Sequence, residues 1–97
     1  AIRDLLDRYE VADPAEPDVP GEFTNHDLQG LYDDLVAQGR LSLHDALEVG
    51  VAIEELDIED LGACLQRTNH ADIQNVYGNL IDGSYNHLAA FLKVLAR

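Results

Sequence analysis

The sequence predicts an all-α protein. Apolar residues recur at steps of three and four through most of its 97 residues, Pro, Gly and helix-capping residues punctuate those runs, and no stretch alternates apolar and polar side chains as a strand would. At this length residues 1–97 form one small domain, able to bury roughly 60–70% of the surface of its unfolded chain.

Helical spacing begins at the second residue, with Ile2, Leu5, Leu6 and Tyr9, yet no Met and no Ser, Thr, Asp or Asn precedes it to cap the first turn. The expectation is that the chain opens inside a helix, as a piece of something longer. From residue 10 to 24 the pattern stops. Pro14, Pro17 and Pro20, followed by Gly21, cannot continue a helix, and Val19 and Phe23 are placed to pin this connection to the core.

Asn25 is a good cap for the next helix, which carries Leu28, Leu31, Tyr32 and Leu35, and Gly39 is expected to end it in a left-handed conformation. Ser42 with Asp45 resembles a capping box, and Leu41 and Ala46 are placed as a hydrophobic staple. The helix that opens there has the stripe Leu43, Leu47, Gly50, Glu54, Asp57, Leu61 and Cys64, flanked by Ile53, Ile58 and Leu65. A break in which Asp57 caps a new helix also fits. Asn69 and Asp72 repeat the capping arrangement for a last helical pattern over Asn69–Arg97. Its face holds Ile73, Tyr77, Leu80, Phe91 and Val94 and, among them, Ser84 and His87.

Charge narrows the partners. Nineteen acidic residues against six basic ones give a formal charge of −13, and no Lys/Arg cluster occurs, so no nucleic acid and no anionic membrane surface is expected as a partner. Cations are favoured, although acidity also serves solubility alone. No apolar run approaches the ~20 residues of a membrane span, and no signal peptide is visible. A single cysteine, Cys64, excludes an internal disulfide and a thiolate zinc cluster.

Two carboxylates on the predicted buried line are the main chemical signal. An unpaired carboxylate is costly to bury, so Glu54 and Asp57 need a cation, a proton or hydrogen-bond donors. Helical residues three apart share a face, so Glu54 and Asp57 can ligate together, and Ser84 and His87 have the same spacing on the last helix. Carboxylate with imidazole suits iron, manganese or zinc better than calcium. A hydrogen-bonded core histidine and an N-capping Asp57 account for the same residues without metal. His44 and Glu48 could hold a surface cation, but a solvated helix face explains them as well. His26 and His70 fall in first helical turns and are expected to be exposed. Cys64 has no basic neighbour in sequence and reads as an inert thiol, and Tyr77 reads as core packing. No phosphate loop or Ser-His-Asp set is present.

The ordered segments Leu6-Leu-Asp-Arg-Tyr, Pro20-Gly-Glu-Phe, Leu28-Gln-Gly-Leu-Tyr-Asp-Asp-Leu-Val, Ser42-Leu-His-Asp-Ala-Leu-Glu-Val-Gly, Ile53-Glu-Glu-Leu-Asp-Ile-Glu-Asp-Leu and Gly83-Ser-Tyr-Asn-His-Leu resemble an uncharacterised ferritin-like family of archaea and bacteria, domain of unknown function 2202. The resemblance implies an up-down antiparallel four-helix ferritin-like bundle of which this chain is the C-terminal part. The first helix and the start of the second, with a Glu-x-x-His motif, would then lie upstream of Ala1. It also implies that Glu54 is the carboxylate of the third helix, Asp57 a possible second ligand and His87 the histidine of the fourth. Ser84 stands where a glutamate is expected, and a hydroxyl is a poor metal ligand.

Two readings follow. One is a metal-binding bundle of oxidoreductase type, holding iron, manganese or zinc through Glu54, Asp57 and His87, with an incomplete site in this piece. The other is a non-catalytic helical module that binds a partner. In either, exposed apolar faces predict association as a homo-oligomer or with the missing N-terminal part.

Overall fold

The computed structural model describes residues 1–15 and 19–97. Among them are four helices and no strand: α1 (Ile2–Arg8), α2 (His26–Gly39), α3 (Leu43–Gln66) and α4 (Ala71–Leu95).

Helix α1 begins with no side-chain cap. It ends in a Schellman turn, in which Val11 N–H donates to the Leu6 carbonyl at 2.8 Å and Glu10 N–H to that of Asp7 at 3.2 Å. The left-handed position of this turn is held by Glu10, φ +55°, rather than by glycine. In the connection that follows, Pro17 lies outside the described residues. Its end is fastened to α2 by Gln29, whose amide donates to the Gly21 carbonyl at 3.0 Å while its oxygen accepts from Phe23 N–H at 2.8 Å. Phe23 packs on the Tyr32 ring, with centroids 5.5 Å apart, but it and Val19 both remain 45% exposed. Gly21 has φ +82°, a conformation that favours glycine, and a Cβ there would sit 2.9 Å from the Tyr32 hydroxyl, so any side chain would also displace that ring end.

Two of the three expected caps form. The Asn25 side chain accepts from Asp27 N–H at 2.9 Å and Leu28 N–H at 3.1 Å, and Ser42 Oγ accepts from Asp45 N–H at 3.0 Å. The Ser42 hydroxyl in turn donates to the Asp45 carboxylate. The staple does not form, because Leu41 is 75% exposed. Gly39 is not left-handed: it is the last residue of α2, and Arg40 follows with right-handed φ −78°, since the short link to α3 turns without a reversal. Asn69 does not cap α4. The cap position belongs to His70, which makes no side-chain bond there, and Asp72 is drawn instead to α1.

Helix α3 is continuous through Asp57, so the alternative of a break at that residue is excluded. It pairs with α4: Gly50 lies under the Phe91 ring and Glu54 opposite His87. Four residues forward on α3 thus match four back on α4, which makes the pair antiparallel. A Cβ on Gly50 would meet the Phe91 ring at 2.9 Å, so glycine sets the closeness of this crossing.

The packing leaves much apolar surface open. Among the described residues only Leu5 and Ser84 are buried, and no large side chain is fully enclosed. The accessible surface is 7369 Å², against about 5,500 Å² expected for a compact monomer of this mass. The radius of gyration is 15.5 Å, against about 12.5 Å expected.

Candidate functional site

The α3–α4 register places the expected ligands along one open cavity of about 620 Å³, walled by Glu54, Asp57, Asp60, Leu80, Ser84 and His87. Glu54 is its centre. The side chain is only 12% exposed, Oε1 lies 3.2 Å from His87 Nδ1, and Oε2 is buried with no hydrogen-bond partner. A carboxylate can only accept, so in the metal-free pair Nδ1 carries the proton. The 3.2 Å separation also matches the spacing of two adjacent ligands on one cation, about 3.0–3.4 Å for metal–ligand bonds near 2.1 Å.

The remaining placements differ in part from the sequence expectation. His87 is not on the buried line: its side chain is 67% exposed, because it sits at the edge of the α3–α4 contact and leans in only through Nδ1. Asp57 also lies at the exposed wall. Its carboxyl is raised above the usual aspartate range by partial burial, then by the charges of Glu54 and Asp60. Ser84, one register position across from Asp57, is the most buried polar side chain, at 7% exposure. It occupies the close contact between helices, where a carboxylate would be buried. Glu54 and His87 are therefore brought together, Asp57 borders them, and among the described residues no group of three or more His, Cys, Asp or Glu side chains is gathered as a metal site.

Elsewhere, His44 Nε2 and Glu48 Oε1 pair at 3.1 Å on an exposed face, and His26 is exposed. Cys64 is a free thiol. The expectation that it has no basic neighbour fails, because Arg67, one turn along, reaches back to place Nη2 3.6 Å from the sulfur. Tyr77 lines an apolar cavity of about 340 Å³ under α1, with Leu5, Leu6 and Ile73.

One cluster has no signal in the sequence. The Asp72 carboxylate accepts from Arg8 Nη1 at 2.9 Å and from Tyr9 Oη at 2.8 Å, while the Tyr9 ring meets His70 edge-on at 5.6 Å. The Arg8 and Tyr9 bonds hold Asp72 below the usual aspartate range, and the bond to Asp72 raises the Tyr9 hydroxyl above the usual tyrosine range. More than sixty residues separate the partners, and nothing local to either end announces their meeting.

A solved relative shares this fold and much of this sequence. The chain is 44% identical over 95 residues to the uncharacterised protein MJ0754 of Methanocaldococcus jannaschii, a match covering 98% of this chain and 51% of that protein. It also superposes on the crystal structure of the hypothetical protein MJ0754 with a TM-score of 0.94 and 43% identity, covering 98% of this chain and 54% of the other. The chain thus spans about half the length of this relative. The model of the uncharacterised protein domain family DUF2202 matches residues 1–97, and the chain belongs to that family.

Proposed function

We propose that this chain is one half of a ferritin-like helical bundle and that Glu54, Asp57 and His87 form its share of a divalent-cation site at the seam with the other half. The observation that carries this reading is the Glu54 carboxylate, with one oxygen buried and unpartnered and the other 3.2 Å from the His87 imidazole. A buried carboxylate oxygen without a donor is costly, and a cation relieves that cost together with the repulsion among Glu54, Asp57 and Asp60. The donors fit iron, manganese or zinc in part: one imidazole and one carboxylate converge, a second carboxylate borders them, and Ser84 adds nothing. Iron or manganese would supply redox chemistry toward oxygen or peroxide, and zinc a Lewis acid.

The direction of α1 supports the half-bundle reading. Tyr9 meets the first turn of α4, while Leu5, Leu6 and Ile2 lie with Ile73 and Tyr77, so α1 runs antiparallel to α4. A helix continued along that axis would pass over Leu80 and His87, which share the same face of α4. The relative of twice the length has chain enough for such a layer.

Elemental analysis of protein purified without chelator tests the metal. Iron, manganese or zinc should be present and should fall at least tenfold in Glu54→Ala and His87→Ala; metal-free protein whose melting ignores added Mn²⁺, Fe²⁺ and Zn²⁺ contradicts the reading.

A second reading, a non-catalytic module that associates with itself or a partner, is favoured by the surface excess of about 1,900 Å² over a compact monomer. Under that reading Glu54→Ala leaves assembly unchanged while charged substitutions such as Ile53→Asp or Leu56→Asp abolish it.

A further inference from the structure

We propose that the groove between α2 and α3 is the docking site for an amphipathic helix of a partner protein, one that carries Leu or Ile on one face and Lys or Arg beside it. The proposal rests on the second reading above, that of an associating module, and is independent of the cation site.

Among the described helices α2 packs on α3 alone, so the outer flank of this pair has no cover. Leu28, Leu31 and Tyr32 of α2 face Ile53 and Leu56 of α3 across an opening of about 490 Å³, with Phe23 at its end. Each of these six side chains is 39–49% exposed. Single exposed apolar residues are ordinary, but six that line one groove form a patch of the kind that receives another molecule. Its length suits a helix. The wall from Ala52 to Asp60 runs about 12 Å along α3, and anchors at i, i+4 and i+7 of a docked helix span about 10.5 Å, both at about 1.5 Å per residue.

Charge decides which helix can lie there. Three carboxylates belong to α2 and seven to α3, and neither helix contains a Lys or Arg. Asp57 and Asp60 stand in the wall of the groove itself, and among the described residues neither is in an ion pair. Partial burial and the charges of Glu54 and Asp60 raise the Asp57 carboxyl, so this end of the groove gains from an added positive charge. A second copy is the wrong occupant, because it would set its own acidic α2 and α3 against these and each chain has a formal charge of −13. A purely apolar helix would fill the groove and leave both aspartates unanswered. A helix with Lys or Arg next to its apolar face satisfies both. The surface excess of about 1,900 Å² is ample for the about 800 Å² that one partner contributes to a stable interface.

The test uses the full gene product and three synthetic helices of about 18 residues that share one Leu/Ile face and are flanked by Lys/Arg, by Gln or by Glu. Fluorescence anisotropy at low and high salt reads affinity, and hydrogen exchange of α2 and α3 amides reads the footprint. The Lys/Arg helix should bind at least about tenfold more tightly than the Gln helix, protect α2 and α3, and weaken as salt rises, while the Glu helix should not bind. Leu56→Asp should abolish binding, and Asp57→Lys/Asp60→Lys, at two exposed positions, should move the preference to the Glu helix. If Leu56→Asp does not fold, that charge reversal carries the comparison. Equal affinity for the Lys/Arg and Gln helices overturns the proposal, as does a footprint away from α2 and α3. Self-association that Leu56→Asp blocks also overturns it and leaves the second reading standing, because a copy then occupies the groove. So does a groove already protected in the gene product alone, which would be covered by its own chain. A protein that neither self-associates nor binds any of the three helices fails the second reading and this proposal with it.

Discussion

At the scale of single residues the outcome depended on whether a side chain's partner is local. Asn25 and Ser42 cap helices through backbone groups two or three residues away, and both were legible from sequence. Asn69 had the same local pattern, but Asp72 was taken by Arg8 and Tyr9 across the fold. Spacing alone put Glu54 and His87 on inward faces; only the α3–α4 crossing angle decides that Glu54 is buried and His87 leans in from an exposed edge. Asp57 gives a prediction at this scale. Its carboxyl is raised by partial burial and by Glu54 and Asp60, so its ionised form is disfavoured in the fold. Removing the charge in Asp57→Asn should stabilise metal-free protein near neutral pH by less than about 1 kcal/mol after allowing for solvent screening. The gain should vanish as pH falls below the ordinary aspartate range, where Asp57 is protonated in both states. Urea melts at two pH values measure it, and a destabilised variant at neutral pH would contradict this electrostatic account.

At the scale of elements, all four helical runs are readable because periodicity is a property of a single segment, whereas their ends are not all readable. Gly39 was expected to be left-handed, but the residue in that conformation is Glu10, where an αL position costs an L-residue about 1–2 kcal/mol. Glu10→Gly should therefore stabilise the protein by about 0.5–1 kcal/mol, the relief being partly offset by glycine's freedom in the unfolded chain. Thermal unfolding checks this, with no gain as the contrary result. The helical glycines divide by contact. Gly78 has nothing within 4 Å of where an added methyl group would sit, so Gly78→Ala should gain up to about 1 kcal/mol from helix propensity. At Gly50 the Phe91 ring is 2.9 Å away, and overpacking of about 1–3 kcal/mol outweighs that gain, so Gly50→Ala should lose stability. The α1–α4 junction adds a pH dependence. Asp72 has a depressed folded value, so its contribution is present above the unfolded aspartate value of 3.8 and lost as pH falls through the lower folded one. Protection of α1 amides, relative to their intrinsic exchange rates, should fall selectively in acid, and that selectivity should disappear in Asp72→Ala.

At the scale of the whole molecule, an all-helical chain follows from the sequence, but its openness does not. Composition indicates that 46% of residues are hydrophobic, enough for a core, yet only an assembled structure reveals that Ile53, Leu56 and Leu80 remain about 40% exposed. The grooves that these residues line, one between α2 and α3 and one between α3 and α4, meet at Asp57 and Asp60 and so form one continuous open face. The Glu54–His87 pair lies within that face, so the proposed cation site adjoins the open apolar surface. Native mass spectrometry of the full gene product, with and without Mn²⁺ or Zn²⁺, tests that account most directly. It predicts a species carrying bound metal that is lost in Glu54→Ala; the same metal content in wild type and Glu54→Ala, or none in either, would contradict it.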